Sequence, residues 1–559
     1  FTNTGYVLGT DMGVLNSRPS TYASWSWRKA KGWLDIVTYS GNYTAGTTIA
    51  HNLGSVPKMM LIKNTSGTGG GNRDWIVYHA SLGGTKFLNL NLTASETTRA
   101  AEFNNTDPTS SVFTLGGGFN TNQTGESYVA YLFGDDAIFG EDGDEQICKI
   151  DSYTGNGNNT GPIINCGFEP QWILVKKTSS TGGNKSWIIV DAMRGIVTGG
   201  NDRFLTPNES SAEFDFDGFS LTATGFQVIT SNDYVNTNGV SYIYMAIRKS
   251  MKVPEAGTEV YGGVSFAGNN ATNRFHNLGV QVDLALSYNT DGFVGFTNRL
   301  LGGGSLYMPS TAGDANAYWS LPDWYALDFM NGYMSKTSYS YSNSASSSFY
   351  TLGFKTATGF LSVLAWSGQS NASYAVPHSL GVKPEIIIYK RRSSTVAPYI
   401  AETLTNKSGD FEAGNALTSS RFNTDFASTS PTNTQITVSN AVANTGDDLL
   451  AFLFASVSGV SKCGTFTGTG SSLDIDCGFS NGARFILIKR IDNSGGAYLF
   501  DYKQGITSGN SSYIVMNTNT APVTNTDFVD PLSSGFNLTA NGTSTVNISG
   551  ATYLFLAIA

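Results

Sequence analysis

The sequence predicts an all-β protein, a tandem array of five antiparallel β-sandwich units preceded by the end of a sixth, and three observations predict it. One strand pattern, Ser/Thr/Asp-aromatic-x-x-bulky-x-aromatic, recurs at 21–27 (TYASWSW), 127–133 (SYVAYLF), 241–247 (SYIYMAI), 348–354 (SFYTLGF), 448–454 (DLLAFLF) and 552–558 (TYLFLAI). The copies lie roughly 100 residues apart, the signature of one supersecondary unit used repeatedly. Between them, short runs of β-branched and aromatic residues alternate with polar ones and are bounded by Gly, Asn and Pro, as half-buried strands are. No stretch keeps helical periodicity over three turns.

Each unit opens in the same way. In the first, 36–42 (IVTYSGN) precedes 48–54 (TIAHNLG), Pro57 and the apolar run 59–63 (MMLIK). The second has 152–157 (SYTGNG), 163–167 (IINCG), Pro170 and 172–176 (WILVK). Later copies are 366–368 (WSG), 378–381 (HSLG), Pro384 and 386–390 (IIIYK), then 466–468 (FTG), 476–478 (DCG) and 485–489 (FILIK). The first two runs are expected to form an opening hairpin, with Gly-Asn supplying the positive φ of a tight turn. The Gly-x-x-Pro step ends one strand and keys the next, because Pro cannot donate to a central ladder. A further strand at 75–78 (WIVY) returns at 187–190 (WIIV) and at Tyr498–Phe500. The closing strand is apolar on both faces, which places it inside a sheet rather than at an edge.

These landmarks set the expected boundaries: 1–31, terminal strands of a preceding unit; 32–143, a His-Asn-Leu-Gly sandwich; 144–257, a Cys-Gly-Phe sandwich; 258–356, a divergent sandwich; 357–457, a His-Ser-Leu-Gly sandwich; and 458–559, a second Cys-Gly-Phe sandwich. Residues 21–41 align without a gap on 348–368 at an offset of 327, and Gly155 aligns on Gly468 at an offset of 313. A three-unit cassette is therefore itself duplicated, and the chain reads as the C-terminal part of something longer, its units strung in a rod or stacked. Linkers such as Met251–Gly257 are too short to let the units swing freely.

Composition narrows the function classes. Only 13% of residues are charged, so solubility rests on Ser, Thr, Asn and Gly, while 40% hydrophobic and 12% aromatic residues exclude a disordered polypeptide. A net charge of −9 lacks the basic stripe that nucleic acid needs. There is no run of 18 apolar residues, so no helical membrane span is expected.

No residue stands out as catalytic, cofactor-binding or metal-ligating, and no enzyme and no cofactor is expected. His51, His276 and His378 share one column of the repeat, beside a Leu-Gly step that reads as a turn requirement, so each is expected to cap a strand end; His79 follows a strand. The cysteines come as Cys148 with Cys166 and Cys463 with Cys477. Cys166 and Cys477 fill the slot of Leu53, Leu278 and Leu380, an apolar buried position. Cross-strand disulfides and buried thiols both fit this spacing. The acidic cluster at Asp135, Asp136, Glu141, Asp142, Asp144 and Glu145 offers hard oxygen ligands. It lies in a linker, however, and is expected to be solvated. Lys63, Lys176, Lys390 and Lys489 end the third strand of four units, where they read as strand-end gatekeepers.

The strings TYSGNYTAGTTIAHNLGSVPKMMLIK, PTSSVFTLGGGF, SYVAYLFG, INCGFEPQWILVKK, SYIYMAIRKSMKVPEAGTEVY, CGFSNGARFILIKR and TYLFLAIA resemble a repeat family of large, tail-fibre-like virion structural proteins of marine tailed bacteriophages. The resemblance covers nearly the whole chain and is weakest over 260–356. It implies a virion, extracellular setting, other virion proteins and host-surface glycan as partners, and a homo-oligomer, since phage fibres are commonly trimers. The expected function is a tail fibre or receptor-binding appendage. A capsid decoration or head-fibre protein and a bacterial surface adhesin are the alternatives. The family has no catalytic residues to carry over.

Overall fold

The computed structural model describes residues 8, 22–67, 73–140, 142–179, 183, 185–198, 201–301, 305–307, 325–336, 342–391, 398–411, 415–442, 445, 447–516, 518 and 520–559. The chain divides into two compact units, residues 1–152 with 178–180, and residues 153–177 with 181–559. The strand Cys148–Thr154 runs across the division.

Among the described residues five antiparallel sandwiches follow one plan. In the first, a large sheet runs in the order Leu34–Ser40, Ser127–Phe133, Met59–Asn64, Ile76–His79, Lys86–Asn89 and Thr97–Thr98; a small sheet, Thr47–Ala50 with Val112–Leu115, covers one face. The all-β fold expected from the alternating strands is what forms. The closing strand lies between the opening and third strands in the first sandwich, with Ile36, Tyr131 and Leu61 in one row. The same order holds at Ser348–Phe354, Asp448–Phe454 and Thr552–Ile558. Its interior position explains why charge is confined to its ends, as at Asp448.

Why both faces of that strand are apolar is seen in the second unit. In Asp448–Phe454, side chains alternate across the sheet. Leu449, Ala451 and Leu453 enter the fourth sandwich's own core. Leu450, Phe452 and Phe454 enter a different core, shared with the third and fifth sandwiches. In Thr552–Ile558 the partition repeats: Tyr553, Phe555 and Ala557 face the fifth sandwich's core, and Leu554, Leu556 and Ile558 the shared one.

Three large sheets thus pack around one apolar centre, and each touches both others. Phe296 of the third sandwich meets Phe452 of the fourth at 4.9 Å between ring centroids, and Phe354 meets Phe485 of the fifth at 5.4 Å. The Leu417 amide of the fourth donates to the Ile491 carbonyl of the fifth at 3.0 Å. The Tyr288 hydroxyl of the third donates to the buried Asp501 carboxylate of the fifth at 2.5 Å. In a string of repeats each unit contacts only its sequence neighbours. Here the third and fifth sandwiches meet directly, so of the two expected arrangements, rod and stack, residues 258–559 form a compact three-sided stack. The second sandwich joins this body through polar contacts: Arg299 Nη1 donates to the Met193 carbonyl at 3.0 Å, and Ser379 Oγ to Glu169 Oε2 at 2.6 Å.

Two local expectations are corrected. The opening runs are not hairpins: Leu34–Ser40 pairs with Ser127–Phe133, whereas Thr47–Ala50 pairs with Val112–Leu115 in the opposite sheet. The chain crosses the sandwich between them, because both strands send apolar residues into the same core from opposite sides. The positive φ falls not at Gly41 but two residues on, at Tyr43. Residues 22–29 carry no strand despite the closing-strand pattern, and Tyr22, Trp25 and Trp27 are exposed. Every closing strand that does form is flanked on both sides by strands of its own sandwich, so the pattern alone does not suffice. The acidic linker is solvated at Asp142 and Asp144, and within it Ala137–Phe139 pairs with Glu145–Gln146. Three short helices, Ala100–Phe103, Phe119–Asn122 and Ser419–Asp425, occur among the described residues. No helix among them is long and apolar enough to cross a membrane.

Candidate functional site

The loops that cross from large to small sheet gather the molecule's most elaborate polar structure. Each leaves its opening strand at a glycine, Gly41, Gly155, Gly268 or Gly468, where the backbone passes close to a second loop. A Cβ on Gly41 would stand 2.2 Å from the Gln123 carbonyl oxygen, and one on Gly468 2.3 Å from that of Ile548. That second loop carries an asparagine that is fully buried in four sandwiches: Asn122, Asn236, Asn343 and Asn547. Asn122 Oδ1 accepts from the Asn42 amide at 2.9 Å, while Nδ2 donates to the Thr44 and Gly116 carbonyls at 3.0 and 2.8 Å. Asn547 repeats this, accepting from Thr469 N at 2.9 Å and donating to the Ser471 and Thr539 carbonyls at 2.6 and 3.2 Å. Asn236 holds Asn156, Asn158 and Thr230, and Asn343 holds Asn269 and Ala271. A buried amide with every donor and acceptor used fixes its loop, because releasing it would strand several groups at once.

A tyrosine of the closing strand secures the same place. Tyr128, Tyr242 and Tyr553 each accept a backbone amide at the hydroxyl, from Gln123, Thr237 and Ile548 at 2.8, 2.8 and 3.1 Å. The same hydroxyls donate to the carbonyls of Phe119, Asp233 and Thr545. An aromatic of the opening strand stacks on each: Tyr39 on Tyr128, Tyr153 on Tyr242 and Phe466 on Tyr553, with centroids 5.1, 5.1 and 5.0 Å apart. The strand pattern pointed to the tyrosines. The asparagines went unread, although their signal is present: each stands five residues before the Ser or Thr that begins a closing strand. Asn16 keeps this spacing ahead of Thr21 and lies outside the described residues.

What the clamps present differs from sandwich to sandwich. In the first, Tyr43 (φ 60°) donates its amide to the Asn122 carbonyl at 2.6 Å. Its ring lies against that of Phe119, 5.3 Å between centroids and tilted by 39°. Tyr43 and Phe119 are 48% and 53% exposed.

The residues weighed at the sequence level fall into structural places. His51 sets Nε2 3.1 Å from the Thr109 carbonyl and accepts the Leu53 amide at Nδ1, 3.3 Å. His378 repeats this with Thr432 and Leu380 at 3.2 and 3.3 Å. His276 bonds Ser335 Oγ at 2.7 Å and stacks on Phe266. The Leu-Gly turn requirement is visible in Gly54, Gly279 and Gly381, at φ 80°, 80° and 79°. His79 accepts the Ser81 amide at Nδ1, a turn-capping position that Asp191, Glu402 and Asp501 fill in other sandwiches. Cys463 lies in the shared core and Cys477 in the fifth sandwich's own core, on opposite faces of the sheet, so these two are separate buried thiols. Cys148 and Cys166 are buried too. Among the described residues no cluster of His, Cys, Asp and Glu could hold a metal ion.

The lysine column is corrected. Lys176, Lys390 and Lys489 are buried rather than solvent-facing gatekeepers. Lys176 Nζ donates to the Lys185 carbonyl, Lys489 Nζ to that of Gly495 at 3.2 Å, and Lys63 Nζ to that of Arg73 at 2.5 Å. Lys63 and Lys176 also lie 5.8 Å from the ring centroids of Trp75 and Trp187. Each ammonium thus ties down the loop after the third strand. Burial pushes Lys176 and Lys489 down to about 8.

Burial likewise pushes His276 and His378 down to about 4. The folded state therefore keeps them neutral where the unfolded chain, near 6.5, takes up protons. Their stabilising contribution is full above pH 6.5 and is lost as pH falls toward 4, by roughly 3 kcal/mol for each at most. Urea melts between pH 7 and 4 are expected to show this loss, and His378→Gln to flatten the slope; a slope unchanged in that variant contradicts the assignment.

The fold and its clamped loops define a multi-sandwich all-β repeat protein. The chain belongs to the family described as "Domain of unknown function (DUF7483)", which matches residues 1–250 and 335–559. The unmatched stretch is most of the divergent third sandwich. No curated protein matches the chain.

Proposed function

We propose that this chain is a structural protein of a bacteriophage virion, a tail fibre or receptor-binding appendage whose crossing loops meet the host surface. One observation carries the reading. The same buried asparagine holds loops of different sequence: Asn42-Tyr43-Thr44-Ala45, Asn156-Gly157-Asn158-Asn159, Asn269-Asn270-Ala271-Thr272 and Thr469-Gly470-Ser471-Ser472. A rigid scaffold with variable loops is the arrangement of a recognition module, since binding residues collect on loops that a framework positions. The resemblance to tail-fibre-like repeat proteins supports the setting. The reading assigns no catalysis to the chain: it works by contact, with host-surface glycan as ligand and other virion proteins as neighbours. A homo-oligomer would turn many weak contacts into avidity.

Antibody labelling of purified particles tests this. Label at the tail, together with competition by free protein for particle adsorption, is the expected result. Label over the head makes the chain a capsid decoration or head-fibre protein. Its absence from particles and presence on bacterial cells makes it an adhesin.

A further inference from the structure

We propose that Tyr43 and Phe119 form a stacking platform for a neutral pyranose of a surface saccharide; this rests on the receptor-binding reading and gives it a site. The repeat itself supplies the comparison. The column of Tyr43 holds Gly157, Asn270 and Gly470 in other sandwiches, at φ 69°, 59° and 69°. Gly and Asn are the residues that tolerate left-handed backbone, whereas a bulky side chain there is strained. In these three sandwiches the loop thus uses glycine or asparagine at this place, and it carries tyrosine in the first. Strain held in place by surrounding bonds points to function rather than folding.

Packing gives no other reason for the ring. Half of it is open to solvent, and the aromatic ring beside it is Phe119, itself more than half exposed. The column of Phe119 holds Asp233 and Ser544 elsewhere, three residues before the clamping asparagine in each case, so the fold does not require an aromatic there either.

The chemistry around them selects the ligand. The two rings stand 5.3 Å apart, tilted by 39°, and both are about half open to solvent. A pyranose offers a face of polarised C–H bonds to the negative face of an aromatic ring, and its hydroxyls need donors and acceptors at the rim. Thr44 and Asn120 adjoin the rings in sequence, and Asn104 borders the crossing loop at Gly46. The carboxylate that Asn120 contacts, Glu102, is buried and bonded to Arg99, Asn120 and Thr121, so its charge is compensated where it stands. That favours a neutral sugar over an acidic one.

The test uses the full chain on a printed array of neutral and acidic oligosaccharides, with Tyr43→Gly and Phe119→Ser alongside, and adsorption to host cells in parallel. The expected result is wild-type binding to neutral hexose or N-acetylhexosamine oligosaccharides, weakened at least tenfold in both variants. Tyr43→Gly is expected to melt no lower than wild type, since it removes strain together with the ring. Wild-type binding to no neutral sugar overturns the proposal, as does undiminished binding by the variants. A lower melting point for Tyr43→Gly overturns it too, by making the ring a packing element. If the array is blank while wild type still adsorbs to cells, the platform fails and the receptor-binding reading stands; if adsorption is absent as well, both fail.

Discussion

Replacing Phe452 with alanine is expected to lower the stability of the second unit by about 4 kcal/mol, the usual range for removing a buried aromatic ring. It is also expected to split its thermal transition. Phe452 stands in the closing strand of the fourth sandwich, level with Val363 on one side and Ile388 on the other. Its ring does not serve that sandwich's own core. It meets Phe296 of the third sandwich in the apolar centre that three sheets share. Truncation leaves a cavity where neighbouring sandwiches are coupled, and close-packed interiors collapse only partly around such a loss. Leu453→Ala is the matching control: its side chain points the other way, into the fourth sandwich's core. It should cost about 3 kcal/mol while leaving the sandwiches coupled. Calorimetry separates the two. A single sharp transition in Phe452→Ala, shifted no more than in Leu453→Ala, would mean that the shared core does not bind the three sheets into one cooperative body.

Asn547→Ala is expected to cost about 3 kcal/mol, because one substitution removes a buried acceptor and two donors and leaves backbone groups unsatisfied. The groups are the Thr469 amide and the Ser471 and Thr539 carbonyls. Asn547→Asp should be at least as damaging: it restores the acceptor but faces both carbonyls with an oxygen. Hydrogen exchange is expected to quicken over 468–472 in both variants. If the crossing loop stays protected when its clamp is gone, the asparagine does not set the loop's shape and the scaffold does not position what the loops display.

Much of this was legible along the chain. The period of about 100 residues, the closing strand, the Leu-Gly turn at Gly54, Gly279 and Gly381 and the buried slot of Leu53, Cys166 and Cys477 are local features, and local features repeat visibly. The clamping asparagines were legible in principle, since Asn122, Asn236, Asn343 and Asn547 keep one spacing from the strand that follows. They escaped notice because Asn in a polar loop is common, and only its burial distinguishes it. Lys176 and Lys489 were misplaced for the opposite reason. A lysine ending an apolar strand reads as solvent-facing, and nothing local says that a carbonyl of the next loop, Lys185 or Gly495, will receive it.

Alternation with a period of two and turn-forming residues at fixed intervals act over a few residues, so local pattern is enough to make this protein an all-β repeat. Local pattern also determined that the closing strand would lie inside a sheet, since both its faces are apolar. Only the tertiary structure decided what those two faces meet: one the strand's own sandwich, the other a core assembled from three. That choice depends on contacts between residues as distant as Tyr288 and Asp501, which no local pattern encodes. The crossing loops belong to the same class. Glycine and asparagine announced a turn, but whether the chain folded back as a hairpin or passed to the opposite sheet was settled by where the second strand found its partner.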